Sequence, residues 1–281
     1  MLILSVTGLL ITSCYKKFDP ASYAPLFTIN GFSSVNQIKH GNLVGYWAFE
    51  GSLSDSVSGT AGVNHGTAFS NGFIGSGIAL KVASTSYITM SPTSAQSGVQ
   101  SFTISFWVNP TFVDANNDGG IDGILGFVGL SNPANFWGNI EWWVENGSNP
   151  SASEIKVHIA SGAKEIFLDQ KGIPGVFGKW SNHTLTYDAS TSKFIYYING
   201  SVVMPATPAP WTGPLAFANS GPFIIGCAQF QATPSLTTAT GSQPWASYLT
   251  GTFDELRIYN AVLTAAEVNS LVVLQGKSSN H

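Results

Sequence analysis

The chain has 281 residues, which is enough for one large β domain or two small domains. Charged residues make up only 9% of the chain, against roughly a quarter in an average soluble protein. Together with a formal charge of −4 and no basic run, this excludes a nucleic-acid partner, because binding phosphates requires a footprint of Lys and Arg. The polar but nearly neutral surface also argues against an ordinary cytoplasmic enzyme. The five histidines are scattered, and no pair has the spacing of a zinc site.

The first fourteen residues, MLILSVTGLLITSC, form an apolar run that ends at Cys14. This run is too short to span a bilayer as a helix. It is typical of a secretory signal over residues 1–13, followed by a cysteine that is lipidated and becomes the new N-terminus. A lipidated Cys14 leaves Cys227 without a disulfide partner. Residues 14–42 carry few signals of secondary structure, so we expect a lipid anchor followed by a tether.

From Leu43 onward, short β-rich segments alternate with Gly, Asn, Ser and Pro at intervals of roughly ten residues, which is typical of a sandwich or barrel. The segments are residues 43–49, 77–82, 86–90, 102–108, 123–129, 139–145, 154–160, 165–169, 181–188, 193–200, 222–226 and 250–260. The Asn199-Gly200 pair predicts a hairpin turn. We find no break in composition over residues 43–275, so this region is interpreted as one all-β domain, followed by a short tail over 276–281.

The stretch DANNDGGID, residues 114–122, resembles the first half of a calcium-binding EF-hand loop. Oxygen donors stand at alternate positions, at Asp114, Asn116 and Asp118. Asp122 falls at the ninth position of this pattern, but Leu125 stands at the twelfth, where such a loop has a bidentate Glu. The stretch is therefore either a calcium site completed by backbone oxygens and water or an acidic hairpin loop.

The segment NIEWWVE, residues 139–145, alternates as a strand. One face would carry Ile140, Trp142 and Val144, and the other would carry Glu141, Trp143 and Glu145. The first face is expected in the core. On the second face, an exposed Trp143 between two carboxylates would suit a sugar, because the ring stacks on the indole while its hydroxyls donate to the carboxylates. The alternative is that a neighbouring loop or sheet covers this face and the glutamates are solvated.

Three further tryptophans stand in segments rich in Pro, Gly and Asn, at Trp137, Trp211 and Trp245. Tryptophans in such loops are harder to explain as sheet core. They could close the ends of the sandwich by local packing, contact a sugar, or anchor a partner protein. The segments 130–152 and 228–248 are longer than ordinary hairpin loops, which makes both candidate functional surfaces.

The last strand pattern, FDELRIY, is expected to place Asp254 on the same face as Leu256 and Ile258, which have the character of core residues. A carboxylate pointing inward needs a cation or several N–H donors, because burying it unpaired is costly. After this strand, Thr264 and Glu267 have the spacing of a capping box, which predicts a helix over residues 265–273.

Four segments in this order resemble the laminin-G-like, concanavalin A-like jelly-roll family of exported bacterial proteins. They are GYWAFEGSLSDSVSGTAGVNHGT, FTISFWVNP, KWSNHTLTYDASTSKFIYYINGSVV and GTFDELRIYNAVLTAAEVNSL, and the resemblance covers roughly residues 43–273. It implies two antiparallel sheets stacked as a sandwich, with a concave face on which many members bind sugars. It also implies a structural calcium ion near Asp254, with help from Glu50.

The same architecture occurs in laminarinase-type glycosidases, which carry the pattern E-x-D-x-E on one strand. Glu141 and Glu145 match the outer positions, but Trp143 replaces the middle acid. On a regular strand, residues four apart have Cα atoms about 13 Å from each other. That is too far for the pair of carboxyls that cleaves a glycosidic bond, which needs about 5–9.5 Å. We therefore expect no catalysis at these glutamates.

Versions of the family with a lipidation motif are similar to accessory lipoproteins of starch-utilisation-type outer-membrane uptake systems. The expected function is therefore non-catalytic capture of a glycan, or of another polymer fragment, by a lipoprotein at the outer membrane. The outer face of residues 139–145 is the expected binding surface. The alternative is a structural accessory subunit of the transporter complex with no ligand of its own. A glycosidase is the third and least favoured reading.

Overall fold

A computed structural model describes residues 27–80 and 85–279. Cys14 and the apolar run before it lie outside the described residues, so the lipid anchor stays a prediction. Residues 27–42, which the sequence analysis assigns to the tether, lie against the domain. Phe32 and Ile38 join an apolar cluster with residues of the C-terminal helix, and the Asn30 side chain donates a hydrogen bond of 3.1 Å to the carbonyl of Ala266.

The described residues form two eight-stranded sheets. In chain order the strands are β1 (Leu43–Trp47), β2 (Gly62–His65), β3 (Ala68–Asn71), β4 (Ser76–Leu80), β5 (Tyr87–Met90), β6 (Phe102–Pro110), β7 (Ile124–Leu130), β8 (Ile140–Val144), β9 (Ser153–Ser161), β10 (Lys164–Ile173), β11 (Ser181–Asp188), β12 (Lys193–Ile198), β13 (Ser201–Pro208), β14 (Phe223–Ile225), β15 (Ala246–Ser247) and β16 (Gly251–Tyr259). Two α-helices, α1 (Ser94–Ser97) and α2 (Ala265–Ser278), and three short 3-10 helices (Val35–Gln37, His40–Asn42 and Gln229–Gln231) complete the described part of the fold.

The first sheet has the order β13-β12-β11-β6-β16-β4-β3, with β1 also paired to β16. The second has the order β10-β9-β8-β7-β14-β5-β2. In the second sheet the short β15 pairs with β7 in parallel, whereas β8 pairs with both β7 and β9 in antiparallel fashion. The strands β7 to β10 thus form one continuous half of the second sheet. The expected two-sheet antiparallel sandwich is confirmed.

The main core lies between the inner faces of the two sheets. Phe106 of β6 is at its centre and contacts Trp142 of β8 edge-to-face at 4.9 Å between ring centroids. It also stacks on Phe253 of β16 at 5.0 Å. The alternation of residues 102–108 predicts the inward position of Phe106 correctly, since that face carries four residues of this core. The alternation of 139–145 likewise places Trp142 inside.

Strand β16 contains a bulge that corrects one prediction. Glu255 has a left-handed backbone with φ of 55°, and the pairing with β6 shifts register between Asp254 and Arg257. An extra residue in one strand reverses which face the following side chains occupy. As a result Phe253 and Leu256 both lie in the core. Asp254 was expected to share the face of Leu256, and this is wrong because the bulge separates them.

Helix α2 covers the outer face of the first sheet. Its capping box is present as predicted: Glu267 N–H donates to Thr264 Oγ1 at 3.2 Å and Thr264 N–H donates to Glu267 Oε2 at 2.7 Å. The helix extends beyond the predicted end at residue 273 because Leu274 is still buried in its apolar cluster and Gln275 bonds to the sheet beneath. No helix in the described part of the chain has the length and apolar character needed to cross a membrane.

Candidate ligand-binding site

The outer face of strand β8 is covered rather than open. Trp143 lies on this face as predicted, but it is only 2% exposed. The indole of Trp137 stacks on it almost parallel, with 4.7 Å between centroids and 5° between planes. The indole Nε1 of Trp143 donates to Glu145 Oε2 at 3.0 Å. Trp143 is therefore the buried base of an aromatic stack, and Trp137 is the ring above it.

Two further aromatic side chains surround this stack and remain accessible. Phe167, on the outer face of β10, is 44% exposed and meets Trp137 edge-to-face at 6.1 Å. Trp245, in the long segment before β15, is 38% exposed and lies 5.8 Å from Trp137. Together with polar side chains of β8, β9 and β10 they enclose a cavity of about 410 Å³. Its lining residues are Ile124, Trp137, Trp143, Glu145, Lys156, Phe167, Asp169 and Trp245.

The two long segments are attached to each other and to the sheet, which places Trp137 and Trp245 side by side. Gln229 donates from its amide to the carbonyls of Asn135 and Phe136 at 2.6 and 3.0 Å. Phe136 also packs on Phe230 at 5.0 Å, and both rings contact Trp245. The tryptophan walls of the cavity thus belong to a packed aromatic cluster of the two segments.

Glycines in β7 allow this arrangement. A Cβ built on Gly126 would lie 2.6 Å from the backbone of Cys227, closer than real Cβ atoms approach. At Gly129 it would lie 2.9 Å from the carboxylate of Glu141. The chain at Cys227 and Ala228 therefore passes directly over Gly126, where any side chain would push it away, and Gly129 leaves room for the carboxylate of Glu141.

The polar floor of the cavity consists of Glu145, Lys156 and Asp169, whose charges are paired with one another or with the neighbouring Glu154 and Lys171. Lys156 Nζ lies 2.9 Å from carboxylate oxygens of both Glu145 and Glu154. Lys171 Nζ lies 3.6 Å from Glu154 and 3.5 Å from Asp169. Partial burial opposes the charge on Lys156, but hydrogen bonds and attraction from Glu154 and Glu145 outweigh it and raise the lysine pKa. The pKa of Asp169 is raised by partial burial and by the negative charge of Glu154.

Glu141 does not reach the cavity, which corrects its assignment as a ligand-binding residue. It is fully buried under the Cys227–Gln229 segment and accepts only a long hydrogen bond of 3.4 Å from the backbone N–H of Gln229. Its Oε1 atom has no partner. Burial raises the pKa of this carboxyl well above its usual range. Glu141 and Glu145 therefore do not face one another across a cleft, as a catalytic pair would require.

Trp211 is separate from the other loop tryptophans. It is buried against Tyr187 and Phe194, at 6.1 and 5.9 Å between centroids. Its indole N–H donates to the hydroxyl of Tyr187 at 2.9 Å. Both partners lie on strands of the first sheet and in the main core. The structure thus supports local packing for Trp211 and not ligand contact.

The loop at 114–122 uses its oxygens to hold its own backbone. Asp114 accepts hydrogen bonds from the N–H groups of Asp118 and Gly119 at 3.1 and 2.8 Å. Asn116 also accepts from Asp118, at 2.9 Å, and Asp122 accepts from the N–H of Ala115. Over residues 27–80 and 85–279, no group of three or more His, Cys, Asp or Glu side chains is arranged to hold a metal ion. Calcium at this loop stays a prediction.

The second calcium candidate is likewise occupied by backbone donors. Asp254 accepts hydrogen bonds from the N–H groups of Phe73 and Ile74 at 2.9 and 3.0 Å, and Glu50 accepts from Ser76 N–H at 3.0 Å. Burial, aided by the charge of the neighbouring Glu255, raises the pKa of Asp254 to about 8, although the backbone donors favour its charged form. The arrangement matches the alternative in which N–H groups replace a cation.

A second cavity of about 580 Å³ lies on the first sheet, between α2 and residues 27–36. Its floor is a buried network in which Glu255 accepts from Arg257 at 2.8 Å, from Gln275 at 2.7 Å and from the hydroxyl of Tyr46 at 2.7 Å. Arg257 also lies 3.7 Å above the ring of Tyr46. These hydrogen bonds connect α2 to β16, although the buried Nε of Arg257 has no partner. We interpret this network as structural.

Comparison with known proteins agrees with this architecture. A family model described as the concanavalin A-like lectin/glucanases superfamily (Laminin_G_3) matches residues 82–269. The chain belongs to this superfamily. No curated protein matches the sequence.

Solved structures share the fold at low sequence identity. One is domain 4 of AbnA, a GH43 extracellular arabinanase from Geobacillus stearothermophilus, in complex with arabinotriose. The sequence identity is 20% and the TM-score is 0.53, and the match covers 82% of this chain and 98% of that chain. Another is the binding domain of Paraclostridial Mosquitocidal Protein 1, at 19% identity and a TM-score of 0.59, covering 83% of this chain. The receptor-binding domain of botulinum neurotoxin type G is similar at 18% identity and a TM-score of 0.57, again over 83% of this chain. This chain spans about half the length of the two toxin domains, with 52% and 51% covered.

Sequence reasoning missed four lining residues: Ile124, Phe167, Lys156 and Asp169. The last three stand on outward positions of β9 and β10, and Lys156 is the cross-strand neighbour of both Trp143 and Asp169. The alternation of apolar and polar residues within 154–160 and 165–169 could have placed these side chains on the outer face of the sheet. The register that places them beside Trp143 is a tertiary property.

Trp143 is buried and Trp245 is accessible, so we expect the two side chains to differ in their contribution to stability. Trp143→Ala should lower the free energy of unfolding by about 3–5 kcal/mol, since it removes a large buried side chain and leaves a void. Trp245→Ala should cost about 1 kcal/mol, near the centre of the range for single substitutions. Urea denaturation followed by circular dichroism measures both. Equal losses in the two variants would contradict the assignment of Trp143 as the buried base.

Proposed function

We propose that this protein binds a glycan in the cavity of Trp137, Phe167 and Trp245 and does not alter it chemically. The observation that carries the proposal is the combination of accessible aromatic rings with a polar floor. A sugar ring has C–H groups on its faces and hydroxyls around its edge, so it needs both kinds of surface together. Cavities of this kind, mostly apolar with a few convergent polar groups, are the usual form of small-ligand sites.

The floor offers both hydrogen-bonding roles that a hydroxyl needs. The carboxylates of Glu145 and Asp169 accept, and the ammonium of Lys156 donates. Hydrogen bonds to charged groups are stronger than those between neutral ones. The ion pairs among these side chains hold them in place, which reduces the conformational entropy that binding would otherwise cost.

Similarity to binding domains supports the proposal. Domain 4 of the arabinanase was solved with arabinotriose, and a related domain of botulinum neurotoxin DC was solved with SialylT. At 20% and 11% identity these likenesses establish the fold, and they make sugar binding a reasonable use of it. The superfamily also includes glucanases. We favour a non-catalytic role because Glu141 is buried away from Glu145.

A matched pair of substitutions tests the site. Phe167 and Phe69 are equally exposed, at 44% and 43%, but Phe69 lies on β3 in the other sheet. Phe167→Ala should weaken binding to the polysaccharide that retards the wild type by about tenfold or more, which corresponds to a lost contact of about 1.4 kcal/mol. Phe69→Ala should leave binding unchanged. Affinity gel electrophoresis against a panel of polysaccharides measures both.

Absence of retardation across the panel would count against glycan binding. Accessible tryptophan and phenylalanine side chains are also favoured anchors for a partner protein. That result would favour the accessory-subunit function, in which the same aromatic rings contact a transporter protein. In that case a transporter protein should co-purify from membranes with the wild type and less with the Trp245→Ala variant.

We also propose that the protein is an outer-membrane lipoprotein that captures its glycan for an associated uptake transporter. The support is the sequence pattern ending at Cys14 and the resemblance described above. Cys14→Ser should abolish incorporation of radiolabelled palmitate and release the protein from the membrane fraction, whereas Cys227→Ser should keep both the label and the membrane association. Labelling that persists in Cys14→Ser would overturn the lipid anchor.

A structural calcium ion is a further proposal, supported by the oxygen pattern of residues 114–122 and, for Asp254 and Glu50, by the family resemblance alone. A bound ion would have to replace the backbone donors of these side chains. Binding to the native state alone raises stability with ligand concentration. Excess calcium should therefore raise the melting temperature relative to a chelator, and Asp118→Asn or Asp254→Asn should remove part of this increase. An unchanged melting temperature would rule out a calcium site.

A further inference from the structure

The charges around the aromatic cavity are unequal in number. Three carboxylates, those of Glu145, Glu154 and Asp169, are linked with two ammonium groups, those of Lys156 and Lys171. The network therefore has a formal charge of −1. Among the described lining residues of the cavity, Lys156 supplies the one positive charge.

Both ammonium groups are already committed to carboxylates. Lys156 lies 2.9 Å from Glu145 and 2.9 Å from Glu154. Lys171 bridges Glu154 and Asp169 at 3.6 and 3.5 Å. A ligand carboxylate could accept from an N–H group that either ammonium still has free. It would then lie within a few ångströms of the protein carboxylates that already pair with that lysine, and these would repel it.

The other basic groups of β9 and β10 do not compensate. Lys164 stands at the start of β10, about 17 Å along the strand from Asp169, and its ammonium donates to the carbonyl of Pro210 at 2.7 Å. His158 is buried beneath Phe167, with its Nε2 atom 3.0 Å from Glu165. Burial lowers the pKa of His158, despite the attraction of Glu165, so at neutral pH it supplies no positive charge.

We propose that the cavity takes uncharged glycans and rejects acidic ones such as uronate-containing or sulfated polymers. This inference rests on the proposed glycan-binding function. A neutral hydroxyl needs no counter-charge, because it accepts from Lys156 and donates to Glu145 or Asp169 without breaking their ion pairs. An acidic group meets excess negative charge, and such like-charge contacts are a common source of specificity.

One polysaccharide in three forms separates charge from shape. The neutral polymer that retards the wild type is oxidised at its primary hydroxyls to carboxylates, and a portion of that product is converted to its neutral methyl ester. We expect the carboxylated form to bind at least about tenfold more weakly than the parent and the ester to recover most of the loss. Raising the ionic strength should weaken the discrimination, since salt screens partly exposed charges.

A matched pair of variants tests the role of the committed lysines. Glu154→Gln removes the carboxylate shared by Lys156 and Lys171 and leaves each with one partner, although Glu154 does not line the cavity. Glu165→Gln changes the net charge equally on the same face of the sheet but frees no lysine. Glu154→Gln should bind the carboxylated polymer more tightly than the wild type does, and Glu165→Gln should not.

The outcomes distinguish the two levels of the proposal. Equal or tighter binding of the carboxylated polymer by the wild type would overturn the selectivity while leaving glycan binding intact. Equal gains in Glu154→Gln and Glu165→Gln would overturn the assignment to the committed lysines. If no neutral polysaccharide retards the protein, glycan binding itself fails and this inference fails with it.

Discussion

Strand β8 places Trp142 and Trp143 on opposite faces of one sheet, and this alternation connects the core of the protein to its candidate site. Trp142 packs inward on Phe106, between the two sheets. Trp143 packs outward beneath Trp137. Since both indoles are buried, the position of β8 is determined from both sides. The cavity is thus built on a strand that is packed on both faces, which favours a fixed shape.

The outer face of a sheet in a sandwich is normally exposed to solvent. In the second sheet, part of this face is covered by loop segments that do not belong to the sheet. The chain at Cys227 and Ala228 lies directly on β7 because Gly126 leaves room for it. This cover has a cost, which is visible in the carboxylate oxygen of Glu141 that has no hydrogen-bond partner. The cavity lies where this cover ends. Its walls are therefore formed by two loops on one side and by the outer face of β9 and β10 on the other.

The distribution of charge supports a specialised surface at this place. The chain has only 11 basic and 15 acidic residues, yet six of them lie together on or next to the outward face of β8, β9 and β10: Glu145, Glu154, Lys156, Glu165, Asp169 and Lys171. Partly exposed ion pairs contribute little to stability. A concentration of such pairs beside accessible aromatic rings is better explained by recognition than by folding.

Structural features that depend only on residues close together in the chain could be predicted from the sequence alone. The two-residue period gave the sandwich and the opposite faces of Trp142 and Trp143, and the Thr264–Glu267 spacing gave the start of α2. Tertiary contacts decided the rest. Whether Trp143 was exposed depended on Trp137, which covers it from a separate loop. Trp245 and Phe167 line the cavity because loop packing and strand register bring them next to Trp137. Trp211 does not, because it packs against Tyr187 and Phe194 of the first sheet. The face of Asp254 depended on a single inserted residue, since a bulge reverses a two-residue period and nothing in the local pattern marks it.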